Sequence, residues 1–570
     1  MNTKEDAMIN KVIEVFGECL ETIRDIINNS SNKYKDKIAI REKKNKKIVS
    51  YTYGQLRDDV YALGTKLIDM GLKDKHIAIV GENSYNWIVS YLAIITGVGV
   101  AVPLDKELDS EQISKLLEKG DASAVLFSKG FLSSIDEIIE NSKLEFAACL
   151  NDTDKYTDVQ TLINEGRQLI NEGSTVYEDS IVNVNELNVI MFTSGTTGFN
   201  KGVMISQNNL LVNIEQSCKA FGIYHSTVAV LPFHHIYENV CGMMAPIAIG
   251  MNLFINDSLK YLSKNLKLVK PELEIMVPLF LETMEKSIRA QLKRMNLEKT
   301  FENSIKFSNF LLKFGIDLRR LLFRKVHANF GGKLKAIVCG GAALKPELIT
   351  FFGDIGITIH NGYGITECTP LISVNLNKKG DHFSVGKIFS SCEVKIDNKN
   401  EEGIGEILVK GPNVMIGYYK DDESNEKSFT NGWFRTGDYG SIDADKNLVI
   451  CGRKKNLIVL SNGKNVHPEE LEGYIYEMMP YVKESLVYID KNKKGSEVIS
   501  TYVYLDQDFS SGKSLEELES ILKEDLKKVN KKLPSFKKIQ HIYIKEEEFE
   551  KNSSKKIIRQ KFLEEVSQIG

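Results

Sequence analysis

Short apolar runs alternate with amphipathic stretches along most of the 570-residue chain, which is the pattern of a sheet covered on both faces by helices. His76 to Val80, Val98 to Pro103, Ala122 to Phe127, Glu145 to Leu150 and Val189 to Phe192 have the length and composition of buried strands. Between them, Tyr53 to Met70 and the stretch carrying Trp87 to Ile95 show helical spacing, the first stopping near Gly71. Ile38 to Ile40 and Val49 to Tyr53 predict a hairpin ahead of this unit. Over residues 8 to 27, Ile9, Val12, Ile13, Phe16, Leu20, Ile23 and Ile27 fall on one stripe. That stripe predicts a helix packed on the body, because its polar face lacks a Lys/Arg cluster.

Thr227 to Leu231 reads as a further strand and Gly242 to Ile249 as an apolar helix, followed by a basic, aromatic-rich helical region from about Leu281 to Phe330. That region is read as a solvated face, with lipid proximity as the alternative. Leu334 to Cys339, Ile357 to Asn361 and short runs between Val385 and Val409 continue as strands. Past Gly452 the pattern restarts: Val482 to Ile489, Val498 to Leu505 and Ile539 to Ile544 read as strands and Leu515 to Val529 as an amphipathic helix. This predicts a separate α+β domain of roughly 115 residues. The expected division is residues 1–452 and 453–570.

Composition narrows the class. Hydrophobic residues make up 42%, charged residues 26%, and there are 11 prolines, so the chain can bury sizeable cores and has no long disordered tract. Lys and Arg number 74 against 77 Asp and Glu, a formal net charge of -3, so no global field favours nucleic acid and an anionic ligand needs a local site. Eight scattered cysteines form no CxxC pair and are expected to be reduced. The opening residues MNTKEDAMINKV are of mixed charge and lack the apolar core expected of a signal peptide, and no apolar run reaches the roughly 18–20 residues of a membrane span. The expectation is a cytoplasmic enzyme, with peripheral membrane contact left open.

One loop carries the strongest candidate chemistry. After the apolar run ending at Phe192, TSGTTGFNKG (193–202) supplies hydroxyls at Thr193, Ser194, Thr196 and Thr197, close backbone approach at Gly195, Gly198 and Gly202, and a cation at Lys201. Such a loop fits a polyphosphate, although it does not match the GxxxxGK(S/T) pattern. Open α/β sheets place ligands at strand carboxyl ends, which is where this loop falls.

Further stretches follow in order: LPFHHIYE (231–238), GYGITE (362–367), WFRTGD (433–438), GRKKNLIVLSNGKN (452–465) and SSKKIIRQ (553–560). As an ordered set over about residues 35 to 565, they resemble the core motifs of the adenylate-forming superfamily, which contains acyl-CoA synthetases, peptide-synthetase adenylation domains and firefly luciferase. LPFHHIYE, the long basic helical insertion before FGGKLKAIVCGGAALKPEL, and SNGKNVHPEELE are most similar to bacterial long-chain fatty acyl-CoA synthetases. The resemblance implies an α/β fold. It would comprise a large N-terminal domain of stacked α/β subdomains with a β-barrel-like portion, and a small mobile α+β C-terminal domain.

It also implies ATP-dependent attack of a fatty carboxylate on the α-phosphate, release of pyrophosphate, and thioester formation with coenzyme A, with Mg²⁺ as the metal. Thr193 to Gly198 and Lys201 would hold the β- and γ-phosphates, Glu367 the Mg²⁺, and Thr366 the α-phosphate. Gly340, Gly341, Ala342, Asn361, Gly362, Tyr363 and Gly364 would enclose adenine. Asp438 would accept the ribose hydroxyls with Arg453 in support, and His235 would stand near the carboxylate entrance. Lys556 would contact the carboxylate and α-phosphate. Lys555 occupies the family's glycine position, leaving a competing lysine beside it, and Asn200 stands where proline is usual. Lys455 matches the hinge, and Ser461, Gly463 and Lys464 lie in the stretch turned toward coenzyme A. Two rivals stand beside this reading: acyl transfer to a carrier protein in trans, and nucleotide binding without catalysis.

Overall fold

The computed structural model describes residues 20–141, 144–193, 201–222, 224–377, 384–460, 465–491, 497–551 and 557–569. Inside a seven-stranded sheet, strand His76–Val80 runs parallel between Val100–Leu104 and Ala122–Phe127, and Phe146–Cys149 extends the latter edge. This strand shows why these runs are apolar throughout. Ile77 and Ile79 enter a core with Leu63, Trp87 and Tyr91, while Ala78 and Val80 enter the opposite core with Ile113, Leu117 and Ile135. Helices Tyr53–Asp69 and Tyr85–Ala93 supply the first core, Ser110–Lys119 and Leu132–Asn141 the second.

The other edge changes direction. Leu187–Thr193 pairs in parallel with Val100–Leu104, but the next strand, Lys201–Ser206, runs antiparallel to it, and Gly417–Tyr418 closes the edge. The segment after Thr193 therefore returns directly into the same sheet. The predicted N-terminal helix is interrupted in its described part. Thr22 and Asp25 form a capping box, the helix is Ile23–Tyr34, and Ile23, Ile26 and Ile27 are buried. Leu20 precedes that cap, and Ile9 to Phe16 lie outside the described residues.

A four-stranded sheet joins the hairpin Ile38–Lys44/Lys47–Thr52 to Asn252–Ile255 and Ser226–Ala229. In the ten-stranded sheet, parallel strands Leu273–Met276, Ala336–Cys339 and Thr358–Gly364 continue into antiparallel Leu371–Asn375, Gly386–Ile388, Asn447–Arg453, Trp433–Ile442, Gly405–Lys410 and Glu393–Asp397. Helices Pro278–Arg294, Glu298–Leu312, Arg319–Leu322 and Arg324–Asn329 lie between the first two of these strands in sequence. They bury Leu281, Ile288, Phe301, Phe323 and Val326 in a core shared with Ile337 and Phe352.

The C-terminal part has its own core. Strands Val482–Lys491, Glu497–Leu505 and Ile539–Ile544 form a three-stranded sheet. Helix Leu515–Lys532 buries Leu518, Leu522, Leu526 and Val529, which recur every three or four residues as one face requires. Each such side chain contributes about 1.5–3 kcal/mol on burial. The smaller domain thus closes around residues of its own.

Candidate active site

The described ends of the glycine-rich loop face each other. Thr193 and Lys201 are register partners on antiparallel strands, and both are half-buried. Ser194, Gly195, Thr196, Thr197 and Gly198, with Asn200, lie outside the described residues. Lys201 Nζ stands 4.5 Å from the centre of the Tyr418 ring, and the Tyr418 hydroxyl donates to Glu367 Oε1 at 2.9 Å. One tyrosine thereby gathers a cation and a carboxylate that are far apart in sequence. It is held there because Tyr418 pairs with Val203 on the lysine's own strand. Burial, with Glu367 beside it, pushes the phenol far above its ordinary value, so it acts as a neutral donor. Glu367 occupies the single turn Thr366–Cys368, whose position is fixed by Met415 N–H donating to the Glu367 carbonyl at 2.8 Å. Thr366 is half-buried on that turn.

A second group forms where GYGITE and WFRTGD meet. Asp438 and Arg453 are partners across two antiparallel strands, and Arg453 Nε lies 2.8 Å from Asp438 Oδ1. The Tyr363 hydroxyl donates to Asp438 Oδ2 at 2.7 Å, and the Asp438 N–H donates to Thr436 Oγ1 at 3.0 Å. Asp438 is only 3% exposed, a depth that such pairing and hydrogen bonding make tolerable. Burial works against the Arg453 charge, but Asp438, then Tyr363 and Glu367, raise its pKa. Gly437, between Thr436 and Asp438, has φ +69°, a backbone that favours glycine and turns Asp438 toward Tyr363.

At the strand ends, glycines allow neighbouring segments to pack closely. A Cβ on Gly340 would stand 3.2 Å from the Gly362 carbonyl and 3.4 Å from the Tyr237 hydroxyl, and one on Gly364 would meet the Pro370 carbonyl at 1.9 Å. Tyr237 itself donates to the Val338 carbonyl at 3.1 Å. Gly341 has φ +81°, Ala342 is exposed, and Gly362 is buried. Asn361 is buried and donates to the Ser384 carbonyl at 3.4 Å, so its amide serves the sheet.

The His235 ring meets that of His234 at a tilt of 47°, with ring centres 4.3 Å apart. His234 Nε2 lies 3.5 Å from Asp105 Oδ1. Burial opposes ionisation of Asp105, yet His234 holds its carboxyl well below the usual range. The loop carrying both histidines is pinned by Asn83, which donates to the Leu231 carbonyl at 2.8 Å and accepts from Phe233 N–H at 2.9 Å.

Behind that loop lie two buried acids. Glu238 accepts from Val230 N–H at 3.2 Å and Glu274 from Val228 N–H at 3.1 Å. Burial pushes both carboxyls far above their ordinary range, and Glu238 adds to the effect on Glu274. An unfolded glutamate ionises near pH 4.5 while the folded one keeps its proton, so stability falls as pH rises above that value until the folded group ionises. Glu238→Gln removes this linkage. Its thermal midpoint is expected to gain steadily on wild type between about pH 5 and 8. Melting curves that track in parallel across that range would contradict a neutral Glu238.

At the domain seam, Lys454 Nζ lies 2.8 Å from Glu406 Oε2, and Lys455 is exposed beside it. Lys286 meets Asp506 at 2.7 Å, and the Lys345 ammonium sits 4.3 Å from the centre of the Tyr476 ring. Ser461, Gly463, Lys464, Lys555 and Lys556 lie outside the described residues. Their described flanks are anchored: Lys551 and Ile557 form an antiparallel bridge, and Arg559 pairs with Glu472 and donates to the Val487 carbonyl at 3.3 Å. Sequence reading missed Tyr418, Tyr237 and Asp105. Each acts through a partner distant in sequence, and neither periodicity nor local spacing signals such a pair.

Fold and site together define a two-domain α/β protein with a glycine-lined, charge-gathering edge at the carboxyl ends of its strands. The chain belongs to the AMP-binding enzyme family: the family's sequence model matches residues 27–419, and that of the AMP-binding enzyme C-terminal domain matches 455–569. Adenylate-forming enzymes of this family use ATP, Mg²⁺ and coenzyme A. A long-chain-fatty-acid–CoA ligase of Mus musculus, ACSBG2, is 26% identical over 83% of this chain and 76% of its own length. The chloroplastic long-chain-fatty-acid–[acyl-carrier-protein] ligase AEE15 of Arabidopsis thaliana is 26% identical over 89% and 80%. Among solved structures, ATP-bound MatB from Rhodopseudomonas palustris superposes with a TM-score of 0.74 at 20% identity, covering 98% of this chain and 99% of that one.

The residues present fit a nucleotide. Gly340 and Gly362 sit where a Cβ would meet the Gly362 carbonyl at 3.2 Å and the Leu371 side chain at 3.1 Å, and Asp438 is a buried acceptor. Among the described residues, no group of three or more His, Cys, Asp or Glu is arranged to hold a metal. Glu367 is the carboxylate that would hold Mg²⁺, an ion that takes few carboxylates plus phosphate oxygens.

Proposed function

We propose that this enzyme is an acid–thiol ligase, AMP-forming, that activates a medium- to long-chain fatty acid as its acyl-adenylate and then forms the coenzyme A thioester. The observation that carries the reading is the pair of clusters, Lys201–Tyr418–Glu367 and Tyr363–Asp438–Arg453, with Glu367 close enough to act on the Arg453 charge. The first holds a cation and a hard oxygen where a triphosphate needs both, and the second offers a buried carboxylate to a ribose.

In this reading Thr193 to Gly198 and Lys201 bind the β- and γ-phosphates, and bound Mg²⁺ neutralises charge as pyrophosphate departs. Gly340 to Ala342 and Asn361 to Gly364 enclose adenine, and Asp438 with Arg453 holds the ribose. Thr366 reaches the α-phosphate, and Lys556 orients the attacking carboxylate. His235, positioned through His234 and Asp105, guards the acid's entrance.

The domain division near residue 452 and a hinge at Lys455 complete the reading. Rotation there withdraws Lys556 and brings Ser461, Gly463 and Lys464 to the thiol. Lys455→Pro is therefore expected to slow thioester formation at least about tenfold while leaving adenylate formation within about twofold. Equal losses in the two half-reactions would remove the hinge from Lys455. The likeness to AEE15 favours one second reading, transfer to carrier-protein phosphopantetheine. Preformed acyl-adenylate offered either free coenzyme A or a phosphopantetheinylated carrier separates the two acceptors, and the proposal expects turnover with the former.

A further inference from the structure

Helix Glu298–Leu312 carries two apolar faces. Phe301 and Ser308 are buried and Ile305 packs at the edge of the core, at the spacing of one inward stripe. Phe307 and Phe310 point the other way, 53% and 57% exposed, and Phe314, at the next turn, is 67% exposed. The Phe310 and Phe314 rings meet edge to face at 5.2 Å. Leu321, a short way on, is 69% exposed. Single exposed hydrophobics need no explanation, but a contiguous protruding set does.

The charge around this set is predominantly basic, although Glu302 shares the helix and Asp354 accepts from Asn309 at 2.8 Å. Residues 303 to 335 hold eight Lys and Arg against one acid, Asp317, in a chain whose formal net charge is -3. Asp317 is already paired with Arg319 at 2.7 Å. Beside Leu321, a cleft of about 360 Å³ is lined by Lys267, Lys270, Arg320 and Arg324.

We infer that this face docks on an anionic lipid bilayer, with Phe310, Phe314 and Leu321 entering the acyl region and Lys313, Arg324 and Lys325 meeting headgroup phosphates. Apolar side chains flanked by cations are the pattern of an interfacial helix, and anionic lipid supplies the complementary charge. A second copy of this chain is a poor occupant, because it would set one cluster of cations against another. An acidic protein would match the charge, but the phenylalanines protrude from a helix surface and line no groove for it. Docking is peripheral, since no helix among the described residues is long and apolar enough to cross a membrane. The inference rests on this surface alone and stands apart from the identity of the acid.

Co-sedimentation of the full chain with vesicles tests it, using phosphatidylcholine alone and with about one third phosphatidylglycerol. Wild type is expected to pellet with the anionic vesicles, less so as salt rises, and to stay in solution with phosphatidylcholine. Phe310→Asp with Phe314→Asp abolishes pelleting, and Lys313→Glu and Arg324→Glu each lower the partition coefficient at least about fivefold. All variants retain wild-type melting and ATP–pyrophosphate exchange, because these positions are exposed and outside the site. Wild type that stays in solution with anionic vesicles, or a double phenylalanine variant that pellets like wild type, overturns the inference. Capture by an acidic protein or RNA without vesicle binding does so equally.

Discussion

Glu367→Gln is expected to lower acid-dependent ATP–pyrophosphate exchange by about 10²–10³-fold, the usual cost of removing one preorganised electrostatic group from a reacting centre. The substitution isolates charge from shape. A glutamine oxygen still accepts from the Tyr418 hydroxyl, which now reaches Glu367 at 2.9 Å, so the turn Thr366–Cys368 and the melting temperature should hold. Raising Mg²⁺ should recover part of the loss, because the carboxylate's task is to hold that ion against phosphate oxygens. Tyr418→Phe makes a useful companion. It deletes one orienting hydrogen bond worth about 0.5–1.5 kcal/mol, and is expected to cost roughly tenfold. A Gln variant that melts far below wild type would instead make Glu367 a structural acid.

Lys556→Ala is expected to reduce adenylate formation by about 10²–10³-fold while conversion of supplied acyl-adenylate with coenzyme A stays within about threefold. The asymmetry follows from the domain cycle proposed above, in which this lysine has left the site before the thiol arrives. Lys555→Ala is the necessary control. In the proposed reading the family's motif spacing to Ile557 and Arg559 gives the role to Lys556, so loss of Lys555 should leave both half-reactions within about threefold. The reverse outcome would move the assignment by one residue.

Much of the fold was legible because its strands are covered on both faces. The run His76 to Val80 is apolar throughout because Ile77 and Ile79 feed one core and Ala78 and Val80 the other. The site motifs were legible because glycine, hydroxyl and charge cluster where such runs stop, as at Thr193 and Gly364. What remained hidden was contact between distant segments. Tyr418 lies on a two-residue strand whose meaning depends on pairing with Val203, and Asp105 gains a role only beneath His234. Periodicity also overran the first helix. Leu20, Ile23 and Ile27 share a stripe, but Thr22 and Asp25 form the capping box that starts the helix at Ile23, and stripe counting is blind to caps. The segment holding the outward phenylalanines of Glu298–Leu312 was legible as a basic, aromatic-rich helical region, but which of its aromatics face outward depends on the core that Phe301 and Ile305 join.

The central claim is that the clusters Lys201–Tyr418–Glu367 and Tyr363–Asp438–Arg453 hold ATP for attack by a fatty carboxylate. Its most direct test is acid-dependent exchange of labelled pyrophosphate into ATP, run across saturated acids of about eight to eighteen carbons with aryl acids as controls and followed by addition of coenzyme A. Each buried methylene contributes about 0.8 kcal/mol, so the rate should climb with chain length to a maximum set by the pocket. Coenzyme A should then convert the adenylate to thioester with release of AMP. Absence of exchange with every acid, or exchange indifferent to the acid added, would contradict the account.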